Sequence, residues 1–378
     1  MIQEDVKFDI KVLQTPVFVV EESEILRNLK ILEDVKKRSG CKILLAQKAF
    51  SMYHMYPLIS QYLDGTCASG LHEAELAHEY FSGENHVFSP AFTEKEMPRL
   101  LEICEHFVFN SFTQWERFRN QMQGKSCGIR INPEFSTQGG GIYDPCSFNS
   151  RLGVTRANFR PDLLEGISGF HMHTLCQQGS EDLVATWRAF ESEFGKYLSK
   201  MKWMNLGGGH HITKPHYNKE LLIDLILEIK EKYDVEVYLE PGEAVAIDAG
   251  YLIAEVIDIL RGEMNIAILD TSAACHMPDV LEMPYRPHII GSKETGELTH
   301  TYRLGAPSCL AGDAIGDYSF DKPLEIGQRL IFTDMAIYSM VKTNTFNGIK
   351  LPDLAINKLS GCLEVVKTFG YADFKSRL

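Results

Sequence analysis

No two of the nine cysteines, Cys41, Cys67, Cys104, Cys127, Cys146, Cys176, Cys275, Cys309 and Cys362, form a CxxC pair. The ligand spacing of a structural zinc site is therefore missing, and no metal is expected. An odd count with no secretion signal predicts free thiols rather than a disulfide frame. No apolar run approaches the roughly 20 residues of a membrane span. Positive charge is in deficit, with 38 Lys and Arg against 51 Asp and Glu and a net charge of −13. That balance argues against nucleic acid and anionic membranes as partners. It suits a small cationic substrate, and equally an ordinary solubility charge. The first residues, Met1 to Lys7, are acidic and polar, unlike a signal peptide, so a cytoplasmic protein is expected. There is no low-complexity segment and no repeat beyond the βα units described next.

What is present is enough apolar residue, 44% of 378, for a sizeable core. The length allows two domains, or one barrel with an appendage. Thr15 to Val20 reads as a strand, and Glu22 to Ser39 carries Ile25, Leu26, Leu29, Ile31, Leu32 and Val35 at helical spacing before Gly40 ends it. From Ile43 onward short apolar runs alternate with mostly helical stretches, giving eight strands that end near residues 46, 69, 89, 111, 131, 173, 206 and 239. Strand–helix alternation implies parallel pairing, and eight units close a (β/α)8 barrel. Beyond about residue 250 the texture changes to strands at 253–260, 266–269, 298–303 and 329–333, punctuated by Pro278, Pro284, Pro287, Pro307 and Pro323. The expected architecture is a barrel over 22–250, with 1–21 and 251–378 forming a β-rich domain that takes in the N-terminal strand.

In such a barrel chemistry collects where the strands end. Those positions hold Lys48, Ser69, Arg130 with Asn132, His171 with His173, Gly207-Gly208-Gly209-His210-His211, and Glu240-Pro241-Gly242-Glu243. Each also has a plain reading: a solvated lysine, a satisfied histidine, a tight glycine turn, an acid before a Pro-Gly turn. Three adjacent glycines also let backbone N–H groups approach an anion, and barrels often hold phosphate after strands seven and eight. A lysine, a histidine ring, a phosphate cradle and an acid together are the set that pyridoxal phosphate requires. The lysine would need a lowered pKa, from burial and a neighbouring cation.

These residues match a known family. The chain resembles the fold-type III pyridoxal-phosphate decarboxylases, the alanine-racemase-like barrel group that includes diaminopimelate, ornithine and biosynthetic arginine decarboxylases. Ala46-Gln47-Lys48-Ala49 resembles their Schiff-base lysine strand, Gly169-Phe170-His171-Met172-His173 their ring-stacking histidine motif with His173 as the stacker, Leu206 to Gly209 their phosphate loop, and Glu240-Pro241-Gly242 the motif whose acid binds the pyridine nitrogen. Ser308-Cys309 with Asp313 resembles the segment that one subunit lends to its neighbour, and Tyr338 with Phe346-Asn347-Gly348 the C-terminal phosphate-binding tyrosine and the motif after it. Asn149 to Val154 and Tyr62 to Glu73 are similar to the branch of the family that decarboxylates carboxynorspermidine or carboxyspermidine.

The resemblance implies pyridoxal 5'-phosphate as cofactor, Lys48 and Cys309 as catalytic residues with Cys309 the proton donor, and a homodimer with shared sites. It implies His173, Gly207, Gly208, Gly209, Glu240 and Tyr338 as further cofactor-binding residues. Asp313, Glu243 and Asp279 are expected, with Cys309, to meet a cationic carboxy-polyamine. Three departures bear on this. Diaminopimelate and ornithine decarboxylases continue Glu-Pro-Gly with Arg, where this chain has Glu243, so the phosphate contacts must be redistributed or weaker. Cys309 and Asp313 are separated by three residues, where ornithine decarboxylase has the pair adjacent. Thr174-Leu175-Cys176 stands where many relatives place a phosphate-binding Gly and Ser. The alternatives are a diaminopimelate, arginine or ornithine decarboxylase, a same-fold racemase, which Glu240 disfavours, and a binding protein that has lost the cofactor.

Overall fold

The computed structural model describes Val6 and residues 8–378; the remaining residues of the acidic N-terminus lie outside them. The chain divides into two compact units, Leu26–Val245, and Met1–Ile25 with Ala246–Leu378. Strand β1 (Val17–Glu21) belongs to the second of these.

The unit Leu26–Val245 is a closed barrel of eight parallel strands: β2 (Lys42–Ala46), β3 (Gly65–Ala68), β4 (Glu84–Ser89), β5 (His106–Phe109), β6 (Ser126–Arg130), β7 (Gly169–His171), β8 (Trp203–Asn205) and β9 (Glu236–Leu239). Each strand pairs with the next, and β2 closes the ring by pairing with β9. Buried on both faces, these strands read as continuous apolar runs such as Ile43-Leu44-Leu45-Ala46. The crossovers include helices Leu71–Tyr80, Met97–Ile103, Phe112–Phe118, Ser180–Leu198 and Lys219–Tyr233. Ser180–Leu198 buries Leu183, Trp187, Phe190, Phe194 and Leu198 at spacings of three and four, the signature of one packed face. The β6-to-β7 crossover departs from the rhythm. It contains no α-helix, only short 3-10 turns at Arg156–Asn158 and Pro161–Leu163, and Val154 bridges back to Ile131.

Inside the barrel Leu44, Cys67, Val108, Trp203 and Tyr238 form one cluster. The indole of Trp203 lies flat against backbone: a Cβ on Gly169 would fall 2.0 Å from its ring, and one on Gly128 2.2 Å. At the strands' N-terminal ends Glu84 accepts from Lys42 at 2.5 Å, from the Tyr238 hydroxyl at 3.1 Å, and pairs with His86 at 2.8 Å. Glu84, His86 and His106 bring ligand-type atoms within 4.8 Å of one another. The two imidazoles, however, are stacked at 3.9 Å with planes 7° apart. Parallel rings cannot both aim an in-plane lone pair at one ion, and the Lys42 ammonium already neutralises the carboxylate, so the cluster is a polar plug.

The other unit carries a nine-stranded sheet in the order β12-β14-β13-β11-β10-β1-β16-β17, with β15 also on β10. Its strands are β10 (Gly250–Leu260), β11 (Asn265–Leu269), β12 (Ser292–Lys293), β13 (His300–Gly305), β14 (Ala314–Phe320), β15 (Arg329–Thr333), β16 (Asp353–Asn357) and β17 (Leu363–Lys367). The N-terminal strand enters this sheet, β1 lying antiparallel to β10 and parallel to β16. Four of these strands, β12, β14, β16 and β17, are additional to those read from the sequence. The polar β14 is tolerated because Asp317 stands opposite Arg303 on β13 and takes its guanidinium on both oxygens, at 2.7 and 2.9 Å. Among the described residues no helix is long and apolar enough to cross a membrane.

The Trp203 packing predicts that Gly169→Ala lowers the unfolding free energy by about 1–3 kcal/mol, the usual cost of overpacking a tight core. Urea titration measures it; unchanged stability would mean that the indole can move aside.

Candidate active site

At the C-terminal ends of the barrel strands the central group is the carboxylate of Glu240, which follows β9 and is buried. An isolated charge there would be costly, so its partners matter. Asn205, the last residue of β8, donates its amide to Oε1 at 2.7 Å. His171, the last residue of β7, meets Oε2 through Nε2 at 3.2 Å. Burial pushes the Glu240 carboxyl up, but His171, Asn205 and the Cys67 thiol outweigh it and hold the carboxyl below its ordinary value. Burial pushes His171 down. The carboxyl is thus biased toward its ionised form and burial biases the imidazole toward its neutral form; Nε2 faces Oε2, and Nδ1 of His171 is buried without a partner. His171, His173 and Glu240 also lie within metal-ligand reach of one another; the bonds from His171 and Asn205 account for the Glu240 oxygens without an ion.

Asn205 does a second task. Its Oδ1 accepts the N–H of Gly207 at 2.8 Å, tying the glycine loop to the acid. The next N–H, of Gly208, points to Nδ1 of His173 at 3.3 Å. Arg130, the last residue of β6, donates to the His173 carbonyl at 3.0 Å. The glycines are demanded by packing: a Cβ on Gly207, Gly208 or Gly209 would fall 2.6, 2.1 or 1.9 Å from the carbonyl oxygens of Met172, Glu240 and Leu175. With the loop pressed this close, among the described residues no acceptor is paired with the N–H of Gly209 or His210.

Lys48 follows β2 by two residues. Its side chain is accessible to solvent yet surrounded by protein, as a group at the bottom of an open mouth. Burial, and then the Arg130 guanidinium, lower its pKa; burial, and then Lys48 and Arg130, lower that of His173 well below the ordinary value. An amine biased toward its neutral form beside a fixed carboxylate, an imidazole ring and unpaired backbone N–H groups fits pyridoxal phosphate. Lys48 would join its aldehyde, Glu240 would meet its ring nitrogen, His173 would face its ring, and the 207–210 loop would take its phosphate.

Glu243, expected to meet a substrate ammonium, already has protein partners. Both its oxygens are engaged within the barrel unit, Oε1 by Gln177 at 3.0 Å and Oε2 by His211 at 2.9 Å. The remaining sequence-chosen residues, Cys309, Asp313, Tyr338 and Asp279, belong to the other unit. Cys309 is exposed, and its N–H donates to Asn347 Oδ1 at 2.8 Å. Asp313 is buried and takes three donors, Ser272 at 2.6 Å, Ser308 at 2.5 Å and the Ala274 N–H at 3.0 Å. It clamps the loop that bears Cys309 and is not a free acid. Asp279 is likewise paired, with Lys342. Tyr338 holds a φ of +46°, a strained turn for a residue with a Cβ. Arg130 and His171 were marked by their places at or near strand ends, and Asn205, read as lying inside a strand, was missed; their supporting roles emerge from the hydrogen bonds.

The depressed Glu240 pKa gives a signed prediction. Its ionised form contributes stability above its ordinary value of 4.5 and loses it as pH falls through the folded value. Asn205→Ala removes a donor to this buried acid and should cost about 1–3 kcal/mol near neutral pH. The difference from the parent should narrow as pH falls below about 4.5. Chemical denaturation at several pH values measures this; a difference independent of pH would detach Asn205 from the Glu240 charge.

Known proteins share this fold. Residues 18–336 match the family described as "Pyridoxal-dependent decarboxylase, C-terminal sheet domain". A carboxynorspermidine/carboxyspermidine decarboxylase of Campylobacter jejuni is 41% identical over 97% of this chain and 98% of that protein. A carboxyaminopropylagmatine decarboxylase of Synechocystis is also 41% identical, over 97% of this chain and 96% of that protein. The crystal structure of carboxynorspermidine decarboxylase from Campylobacter jejuni, complexed with norspermidine, superposes with a TM-score of 0.91 at 41% identity, covering 97% of this chain and 100% of that one. Helicobacter pylori diaminopimelate decarboxylase, at a TM-score of 0.84 and 15% identity over 97% of each chain, shares the fold. The chain belongs to the pyridoxal-dependent decarboxylase family, and it is an enzyme whose cofactor is pyridoxal 5'-phosphate.

Proposed function

We propose that the enzyme removes the α-carboxylate of carboxynorspermidine or carboxyspermidine, releasing CO2 and norspermidine or spermidine, as a cytoplasmic homodimer. The observation that carries the substrate class is the full-length match to the Campylobacter jejuni protein, together with the norspermidine complex that superposes on this chain. The acidic composition agrees with a polycationic substrate. The nine free thiols suit a reducing compartment.

Bound pyridoxal phosphate supplies an electron sink for the pair left on the α-carbon as CO2 departs. The chain's residues hold and tune that site. Glu240, kept ionised by Asn205 and His171, is the acid for the ring nitrogen. His173 is fixed at its backbone by Arg130 and at Nδ1 by Gly208, which holds its ring in place. The Gly209 and His210 N–H groups are donors for the phosphate. Cys309, contributed by a second copy of the chain, passes its thiol proton to the α-carbon, and solvent restores that proton. Asp313 and Asn347 hold the Cys309 loop through Ser308 and the Cys309 N–H.

The equal identity of the Synechocystis protein supports a second reading, in which the substrate is carboxyaminopropylagmatine. That substrate ends in a guanidinium where carboxynorspermidine and carboxyspermidine end in a primary ammonium. A kcat/KM panel of these three with meso-diaminopimelate, arginine and ornithine decides between them. Preference for carboxynorspermidine or carboxyspermidine supports the proposal. Preference for carboxyaminopropylagmatine selects the second reading, and preference for an amino acid overturns both. Cys309→Ala should lower kcat by about a hundredfold or more while leaving cofactor absorbance unchanged; unchanged turnover would remove Cys309 as proton donor. Sedimentation should show a dimer, and a fully active monomer would refute the shared site.

A further inference from the structure

The backbone donors of the glycine loop are neutral, whereas the phosphate of pyridoxal phosphate is a dianion near neutral pH. The residue that follows them directly is His211. Its ring is mostly enclosed, with 13% of the side chain accessible, and its partner Glu243 is enclosed to a similar degree at 11%. Nε2 is fixed on Glu243 Oε2 at 2.9 Å, and among the described residues Nδ1 is paired with no protein group. The backbone is fixed as well. His211 N–H donates to the Gln178 carbonyl at 3.1 Å, and its carbonyl accepts from Lys214 at 3.0 Å. Glu243 is anchored independently of the histidine, because Oε1 takes the Gln177 amide at 3.0 Å. Gln177 adopts a φ of +57° in the turn that supplies this amide. The loops after β7, β8 and β9 are thus tied together on one carboxylate, with the imidazole seated on it. In that seat one ring nitrogen faces the carboxylate and the other is left for a ligand.

We propose that His211, held by Glu243, is the cationic donor of the cofactor's phosphate site, and that Glu243 is a positioning residue for it and not a contact for the substrate. The inference rests on the reading of residues 207–210 as the phosphate loop. His211 turns an otherwise uncharged loop into a charge-matched one, and a charge-assisted hydrogen bond of this kind is stronger than a neutral one.

Comparing pyridoxal phosphate with pyridoxal tests this, since the two share the ring, and the closure of pyridoxal's free 5'-hydroxyl on its aldehyde is common to parent and variants, so a change in their affinity ratio reads the phosphate. The full-length enzyme is stripped of cofactor, and each compound is titrated by protein fluorescence into the parent, His211→Asn, His211→Gln and Glu243→Gln. The expected result is that both His211 variants bind pyridoxal phosphate about ten- to a hundredfold more weakly than the parent while pyridoxal affinity is unchanged. Glu243→Gln should shift the ratio in the same direction by a smaller factor. Retained pyridoxal affinity shows that the variants are folded. If the parent prefers pyridoxal phosphate and the His211 variants keep the same ratio, the role of His211 is overturned and the phosphate loop stands. If the parent itself shows no preference, the phosphate-loop reading fails and the proposal falls with it.

Discussion

The site depends on keeping one carboxylate charged inside the barrel. Burying Glu240 without partners would raise its pKa and leave it neutral, with no charge to offer a pyridinium. Asn205 and His171, at the ends of the two preceding strands, supply the donors that prevent this. Their positions follow from strand register: His171 on β7 pairs with Asn205 on β8, so both reach the layer of the mouth into which Glu240 projects. Asn205 also fixes the Gly207 N–H, so the acid and the glycine loop are set by one side chain. A change there disturbs both ends of the proposed cofactor site at once.

A second pattern concerns the other acids. Glu243, Asp313 and Asp279 are each engaged by protein donors, on His211 and Gln177, on Ser272, Ser308 and Ala274, and on Lys342. An acidic residue that the sequence offers to a cation can already have partners within its own unit. Here Glu243 orders three loops of the barrel mouth, and Asp313 orders the turn that presents Cys309. Ordering of this kind is what catalysis requires of supporting residues, because a reacting group held loosely loses the benefit of proximity.

The barrel was legible because eight buried strands leave continuous apolar runs with crossovers between them, and that rhythm survives even where the β6-to-β7 crossover lacks a helix. Lys48, His173 and Glu240 stood out because each combines an informative residue type with a strand end. Strand β14 was hidden because Gly316 and Asp317 look like turn residues until Arg303 is found opposite. Asn205 and His171 carry no signal of type; their task is to hold another residue, which only the folded arrangement reveals. The protein partners of Glu243 and Asp313, which were read as holding a substrate ammonium, were hidden for the same reason, since a sequence shows a charge but not its partner.

The claim on which the account turns is that Lys48 is the residue to which the cofactor is joined. Borohydride reduction of the holoenzyme, followed by proteolysis and mass spectrometry, tests it directly by fixing the pyridoxyl group to the lysine that carries it. The account predicts a single modified peptide containing Lys48. Modification of a different lysine, with Lys48 recovered unmodified, would contradict it.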